Sequence, residues 1–169
     1  MTDIALTHRR GLLLGAVSLF TAACTGGGAE AQGRPDRFAG SPFRRITDAE
    51  WRERLPPLAY RVLRHEATER AGTSPLDDEH RRGTFHCRGC ELELFRSEWK
   101  FDSGTGWPSF FRVNEAHIGT QTDYALGIPR TEYHCARCLG HQGHVFNDGP
   151  RPTGLRYCNN GVALTFRPA

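Results

Sequence analysis

Four of the six cysteines in this chain are spaced like the ligands of a metal ion. They form two C-x-x-C pairs, Cys87 with Cys90 and Cys135 with Cys138. A two-residue spacer lets both thiolates of a pair reach one ion, and two pairs complete the tetrahedral shell that Zn²⁺ prefers, leaving no position for a substrate. The spacing therefore predicts one structural zinc ion.

Two other interpretations of these pairs stay open at the level of the sequence. Two disulfide bonds would suit an exported protein. A single redox-active C-x-x-C pair would suit a thiol-disulfide oxidoreductase, although such a motif belongs in a βαβ setting that this sequence does not indicate.

Cys158 stands apart from the two pairs, and its neighbours suit a nucleophile. It lies in the segment Arg156-Tyr157-Cys158-Asn159-Asn160. Residues two apart share one face of a strand, so we expect Arg156 to favour the thiolate and Asn160 to offer its amide to an oxygen atom. A lone cysteine is more often a small buried hydrophobe, which is the alternative for Cys158.

Two further segments carry residues that could serve the same site. Gly140 to Phe146 supplies His141 and His144 on what we expect to be a glycine-rich turn. Beside a complete set of four cysteine ligands, paired imidazoles favour acid–base chemistry over a second metal site, and ordinary loop histidines are the other alternative. Phe101 to Phe111 combines glycines with Trp107 and other aromatic residues. It predicts either an aromatic wall for a ligand or a turn covered by core aromatics.

The elements that must position these residues are expected to be mainly strands. The 169 residues include 19 Gly and 10 Pro, which favours a fold with many turns over a helical bundle. Alternating or short apolar runs predict an antiparallel β domain. The expected strand regions are 84–86, 92–94, 124–128, 131–134 and 155–166.

Two helices are expected before the strands. Thr47 and Glu50 have the spacing of a capping box, which predicts a helix that runs to Leu55. Pro57 suits the first position of a second helix over residues 58–71, which would end at Gly72. The fold class is therefore a mainly β domain with a short N-terminal helical hairpin.

The N-terminus is typical of an export signal, which we assign to residues 1–31. Arg9 and Arg10 precede an apolar run from Gly11 to Ala23, which is shorter than the roughly 20 residues that a membrane-spanning helix needs. This pattern resembles a twin-arginine signal and predicts a periplasmic or cell-envelope protein. The alternative is a disordered N-terminus on a cytosolic protein.

Cys24 follows a small-residue segment that resembles a lipoprotein processing site, so it is a candidate for lipidation. Membrane attachment is expected only if Cys24 is lipidated. Residues 32–45 are rich in Gly, Pro and Arg and are expected to form a flexible linker, which leaves residues 46–169 as one domain. The net charge of only +3 argues against a nucleic-acid partner.

Together these segments resemble the methionine-(R)-sulfoxide reductase family, often called the B type, over roughly Tyr60 to Phe166. The matching landmarks are Tyr60 to Arg64, Glu69 to Pro75, Phe101 to Phe110, Gly140 to Phe146, Gly154 to Asn160 and the four paired cysteines. The resemblance implies a compact domain of two small twisted antiparallel sheets, with a structural zinc remote from the chemistry. It also implies reduction of the R epimer of methionine sulfoxide in proteins or peptides.

The resemblance assigns roles to particular residues. It implies catalytic roles for Cys158, His141, His144 and Asn160, and substrate contacts for Trp107, Phe146 and Arg156. The Cys158 thiolate would attack the sulfoxide sulfur and become a sulfenic acid, while an imidazole delivers a proton to the oxygen. Trp107 would receive the methyl group of the substrate.

Thr105 is an informative departure from the family pattern. Many members carry a second, resolving cysteine at this position, and threonine cannot form a disulfide. We therefore expect an external reductant, thioredoxin-like or another thiol, to regenerate a monomeric enzyme. The competing hypothesis is a non-enzymatic zinc-ribbon binding module, which has no need to bring His141, His144 and Cys158 together.

Overall fold

The structure is a computed structural model that describes residues 36–169, so the predicted signal at residues 1–31 and Cys24 lie outside the described residues. Two short helices, α1 (Asp48–Arg54) and α2 (Pro57–His65), precede the strands. The strands are β1 (Gly83–Cys87), β2 (Glu93–Arg96), β3 (Lys100–Phe101), β4 (Ser109–Phe110), β5 (Ile118–Asp123), β6 (Arg130–Cys135), β7 (His141–Phe146), β8 (Arg156–Asn159) and β9 (Leu164–Pro168). Neither helix in this part of the chain has the length and apolar character needed to cross a membrane.

The strands form two antiparallel sheets, which confirms the predicted fold class. One sheet has the order β2-β1-β9, and the other has the order β3-β4-β8-β7-β6-β5. Buried aromatic rings join the two sheets. Phe110 on β4 stacks on Phe95 of β2 with ring centroids 4.0 Å apart, and Phe85 of β1 meets the Phe110 ring edge-on at 5.0 Å. Such pairs combine a large buried area with a preferred geometry, so they fix the sheets relative to each other.

The first helix begins as its sequence predicts. The Thr47 hydroxyl accepts a hydrogen bond from the Glu50 N–H, and the Glu50 carboxylate accepts one from the Thr47 N–H at 2.7 Å. This reciprocal capping box satisfies two N–H groups that have no partner within a helix. It orients α1 so that Trp51 is buried in the core.

The second helix is shorter than predicted, because it ends at His65 instead of continuing to residue 71. Glu66 adopts a left-handed conformation with φ of 52° and closes the helix. Residues 67–70 then run without regular structure. The prediction was wrong because contacts with distant strands outweigh the local helical preference of this segment.

Glu69 makes those contacts. Its buried carboxylate accepts hydrogen bonds from the backbone N–H groups of Gly161 and Val162. Its own N–H donates to Asn160 Oδ1 at 2.9 Å, and its carbonyl accepts from Trp107 Nε1 at 3.1 Å. A helix through Glu69 would leave these buried groups without partners, which is costly.

Two predicted strand regions also differ from the structure. Residues 124–128 form a turn, in which Gly127 has a φ of +76° and the Asp123 carboxylate accepts the Ala125 N–H. Such side-chain bonds and positive φ values are typical of turns. Residues 155–166 divide into β8 and β9, which belong to different sheets, because a 3-10 helix at Gly161–Ala163 redirects the chain.

The predicted glycine-rich turn at residues 140–146 is instead a strand, β7. Its central glycine serves a close approach between strands. A Cβ atom at Gly143 would lie 1.9 Å from the carbonyl oxygen of Cys158 on β8. Glycine within a strand often marks such an approach of two backbones.

Part of the predicted flexible linker belongs to the folded domain. Pro42–Arg44 forms a 3-10 helix that is capped by the Ser41 hydroxyl. The Arg44 guanidinium donates to the Ala136 carbonyl, and Phe38 and Phe43 pack against the core. These contacts place residues 36–45 with the domain.

Replacing Glu69 by alanine is expected to lower the free energy of unfolding by about 1–3 kcal/mol, because two buried N–H groups lose their acceptor. Urea unfolding followed by circular dichroism measures this loss. Glu66→Ala is the matched control, since it removes the same charge from an exposed position nearby. Equal losses in both variants would contradict the role assigned to the Glu69 carboxylate.

Candidate active site and cysteine cluster

Sheet register places Cys158 beside an imidazole. Cys158 lies on β8, directly opposite Ser109 of β4 and His144 of β7. Side chains that are directly opposite on antiparallel strands have Cβ atoms about 4.5–5.5 Å apart. Both the Cys158 and His144 side chains are half-buried, so they are within reach of each other and of solvent.

A cavity of about 130 Å³ opens at this pair. Drug-sized ligands occupy sites of about 300–1,000 Å³, so this volume suits a single small side chain. The cavity brings together five of the residues predicted for the site. Its lining consists of Thr68, Trp107, Arg130, Gly143, His144, Phe146, Cys158, Asn159 and Asn160.

His141 does not line this cavity. It is 3% exposed and faces a separate cavity, while its ring centroid lies 5.5 Å from that of His144. Its Nδ1 atom lies 2.7 Å from Glu132 Oε1, and the second carboxylate oxygen of Glu132 binds His134. Burial raises the pKa of Glu132, but hydrogen bonds from His134 and His141 outweigh it and lower the pKa on balance.

Arg156 also lies behind the cavity wall. Its guanidinium forms two hydrogen bonds with the Asp148 carboxylate, at 2.8 and 2.9 Å. The same group lies 4.4 Å from the centre of the Phe146 ring. Arg156 therefore packs against Phe146 behind the cavity wall. Its positive charge, on the same strand as Cys158, acts to lower the pKa of that thiol.

The thiol of Cys158 needs a base to become a nucleophile at neutral pH. Burial raises the pKa of Cys158, while the positive charge of Arg156 and a hydrogen bond from the Thr105 hydroxyl partly oppose this effect. The reactive species is the thiolate. A nearby proton acceptor would therefore increase the reactive fraction.

His144 is suited to be that acceptor. Its Nε2 lies 2.8 Å from Asp123 Oδ2. The pKa of Asp123 is lowered to about 2, first by the Ala125 N–H and further by His144 and Arg130. Burial lowers the pKa of His144. The ionised Asp123 holds a proton on Nε2 of the neutral ring, so Nδ1 is able to accept one.

Asn160 and Trp107 are held in place by hydrogen bonds. The Asn160 side chain accepts from the Glu69 N–H at 2.9 Å and donates to the Gln142 carbonyl at 3.0 Å. Both the oxygen and the nitrogen of its amide therefore have partners within the protein. The sequence suggested that this amide would hold a substrate oxygen, but in the structure it fixes the wall of the cavity. Trp107 is tied to the Glu69 carbonyl through its indole N–H.

The four paired cysteines meet at a second centre. Their sulfur atoms all lie within 4.8 Å of one another, with Cys87 3.5 Å from Cys138 and Cys90 3.4 Å from Cys135. A disulfide bond is about 2.05 Å long. Sulfurs at tetrahedral positions about 2.3 Å from a zinc ion lie about 3.8 Å apart. The geometry fits a metal site and joins the end of β1 in one sheet to the end of β6 in the other.

The surroundings of the cluster also fit a cation. All four cysteines are buried. Contact with Cys135 and then with the other sulfurs, together with burial, raises the pKa of Cys87 well above its usual value. Four buried thiolates repel one another, so the cluster can ionise fully only around a positive ion. Gln142 donates its side-chain N–H to Cys87 Sγ at 3.4 Å.

Sequence reasoning missed several residues of the site. Arg130 and Thr68 line the cavity, and Asp123 acts behind His144. Asp123 pairs with Arg130 at the base of the β5–β6 hairpin, as the last residues in register. The turn-forming residues between Asp123 and Arg130 were the available signal. A hairpin predicted from them would have placed these two charged residues opposite each other.

Comparison with known proteins gives one consistent result. A family model described as the SelR domain matches residues 55–168. The protein named peptide methionine sulfoxide reductase MsrB from Thiobacillus denitrificans is 52% identical over 123 residues, which cover 72% of this chain and 93% of that protein. A protein of the same name from Bradyrhizobium diazoefficiens is 50% identical over 123 residues, which cover 72% of this chain and 88% of that protein. Another, from Pseudomonas putida, is 52% identical over 120 residues, which cover 70% of this chain and 90% of that protein. The resemblance seen in the sequence is thereby confirmed, and the chain belongs to the MsrB family of peptide methionine sulfoxide reductases.

Proposed function

We propose that this protein reduces the R epimer of methionine sulfoxide, in proteins or peptides, to methionine. The observation that carries the proposal is the cavity in which Cys158, His144 and Trp107 meet. It combines a thiol, a proton acceptor and an aromatic wall in a space for one side chain. The identity of about 50% to relatives named for this reaction supports it.

The reaction transfers one oxygen atom from sulfur to sulfur. His144 takes the thiol proton, and the Cys158 thiolate attacks the sulfoxide sulfur of the substrate. The imidazolium returns the proton to the sulfoxide oxygen, which makes the sulfur more electrophilic. The hydroxyl group then passes from the substrate sulfur to the Cys158 sulfur as the new S–S bond breaks, which leaves Cys158 as a sulfenic acid and releases methionine. His141 and Glu132 support His144 from behind.

Discrimination between epimers follows from three different surfaces around one chiral sulfur. The Trp107 ring offers an apolar surface for the methyl group, with Phe146 beside it. Cys158 approaches the sulfur, and His144 addresses the oxygen. With these three contacts fixed, the main chain of only one epimer points towards solvent. The alternative hypothesis, a non-enzymatic zinc-ribbon module, gives no reason for these residues to converge.

Regeneration of the enzyme requires thiols from outside the described domain. Among residues 36–169, Cys158 is the only cysteine outside the four-cysteine cluster. A first reductant thiol would displace water from the sulfenic acid and form a mixed disulfide. A second thiol would then release Cys158 as a thiol and leave the reductant as a disulfide. A thioredoxin-like protein or another thiol supplies both electrons.

We further propose that Cys87, Cys90, Cys135 and Cys138 hold one structural Zn²⁺. The ion would be four-coordinate and remote from substrate, so its contribution is to folding.

The twin-arginine-like segment before the domain supports export to the periplasm or cell envelope, with lipidation of Cys24 as a second possibility. Export in the folded state would bring the thiols across already bound to metal.

Cys158→Ser is expected to abolish reduction of methionine-R-sulfoxide, because a hydroxyl cannot accept oxygen in this way. Wild-type kcat/KM is expected to rise as the pH passes the lowered pKa of His144 and to fall as the pH passes the raised pKa of Cys158, because the reaction needs a neutral imidazole and the thiol proton. Assays with separated R and S epimers measure both effects.

Trp107→Ala is expected to weaken use of the R epimer while leaving the thiol reactive towards iodoacetamide. Equal turnover of the two epimers by the wild type would show that the site is assigned wrongly.

Thr105→Cys is expected to form a disulfide with Cys158 after one turnover, because the Thr105 hydroxyl is near enough to Cys158 to lower the pKa of its thiol. Mass spectrometry and thiol titration would show the loss of two thiols in the variant and of one in the wild type. Thr105→Ser is the matched control and should behave as the wild type. A disulfide from Cys158 to another cysteine of the wild type would refute the single-thiol cycle.

Cys135→Ser is expected to lose the bound metal and most of the folded state, since structural zinc sites contribute about 10 kcal/mol or more to folding. Metal content and circular dichroism measure these losses. Cys158→Ser is the control and should retain one zinc ion per chain. A Cys135→Ser protein that is stable, active and free of metal would overturn the zinc proposal.

A further inference from the structure

The turn between β5 and β6 exposes apolar side chains beside the cavity. Tyr124, Leu126 and Ile128 are 67%, 69% and 61% exposed. Among residues 36–169, only one other large hydrophobic residue, Leu139, is similarly open. We call residues 124–129 the apolar tip. Grouped apolar residues on a surface mark interaction sites more often than scattered ones do.

The apolar tip has open space around its glycine. A Cβ atom at Gly127 would meet nothing within 4 Å. Residues 124–129 carry no charged side chain, so the tip has no means to attract a charged partner. The surface therefore suits an apolar partner.

The apolar tip is adjacent in sequence to residues that form the cavity or bind its lining. Arg130 lines the cavity, and Asp123 binds His144. The Asp123–Arg130 pair closes the β5–β6 ladder, and the tip follows directly. Ile128 is two residues from Arg130, which corresponds to at most about 7 Å of extended chain. The tip therefore lies within reach of a polypeptide whose sulfoxide side chain occupies the cavity.

We propose that the apolar tip binds the residues that flank the oxidised methionine in a protein substrate. This inference rests on the proposed function. Methionine is usually buried among other apolar side chains, and its sulfoxide is polar and disrupts the core around it. A sulfoxide that reaches the enzyme therefore comes from a loosened core segment, and core segments repeat apolar residues every two to four positions along the chain. Two or three residues on either side of it span the distance to the tip.

The test compares three substrates. These are N-acetyl-methionine-R-sulfoxide and two peptides in which the sulfoxide is flanked on both sides by leucines or by serines. The variant Tyr124→Ser/Leu126→Ser/Ile128→Ser is expected to lower kcat/KM for the leucine peptide on the order of tenfold, through lost apolar contact. Rates with the other two substrates are expected to stay unchanged.

Two control variants separate apolarity from other effects. Tyr124→Phe/Leu126→Met/Ile128→Leu keeps the apolar surface and should retain the preference for the leucine peptide. Ala125→Ser changes the same turn without removing a large side chain, and it should behave as the wild type.

Several outcomes would overturn the inference. One is an equal loss with all three substrates. Another is a loss that disappears at high reductant concentration, which would make the tip a docking site for the reductant. A third is a change in sedimentation that accompanies the loss, which would indicate a second copy of this chain. A wild type that reduces none of the three substrates would instead refute the proposed function itself.

Discussion

The close approach of β7 and β8 at Gly143 is the constraint on which the site depends. Any side chain at this position would collide with the Cys158 carbonyl oxygen. Because the two strands lie in register there, His144 is directly opposite Cys158 and Gly143 itself forms part of the cavity floor. The backbone ladder thereby sets the distance between thiol and imidazole, and no flexible loop intervenes. A site built on paired strands holds its geometry more precisely than one built on loops.

The same strand connects the cavity with the cysteine cluster. Gln142 on β7 is fully buried; its side chain donates to Cys87 Sγ, and its backbone carbonyl accepts from Asn160. His141 and His144, on either side of it in sequence, are each bound to a carboxylate of β5 or β6. The cluster does not line the cavity at Cys158, but Gln142 connects the cluster to the strand that carries His144. Contacts through Gln142 therefore link the cluster to the wall of the cavity around Cys158.

Local patterns in the sequence predict much of this arrangement. The C-x-x-C spacing identifies the cluster, the capping box identifies the start of α1, and the resemblance identifies Cys158 and its partners. The failures share one physical cause, which is that tertiary contacts override local signals. Glycines at residues 140–143 suggest a turn but serve strand packing, and the helical pattern after His65 gives way to bonds made by Glu69. Asp123 escapes notice because only sheet register brings it to His144.

The bonds made by Glu69 have a consequence for the order of events during synthesis. Glu69 and its acceptor and donor groups at residues 160–162 are more than 90 positions apart in the chain. At about 5–20 residues per second, the ribosome releases Glu69 roughly 5–20 s before Gly161. Until then nothing fixes the Glu69 carbonyl that accepts the Trp107 indole N–H, and the segment that carries Thr68 is not held against the cavity. The Cys158 thiol and the hydrogen bonds that position the wall of its cavity therefore form together, near the end of translation.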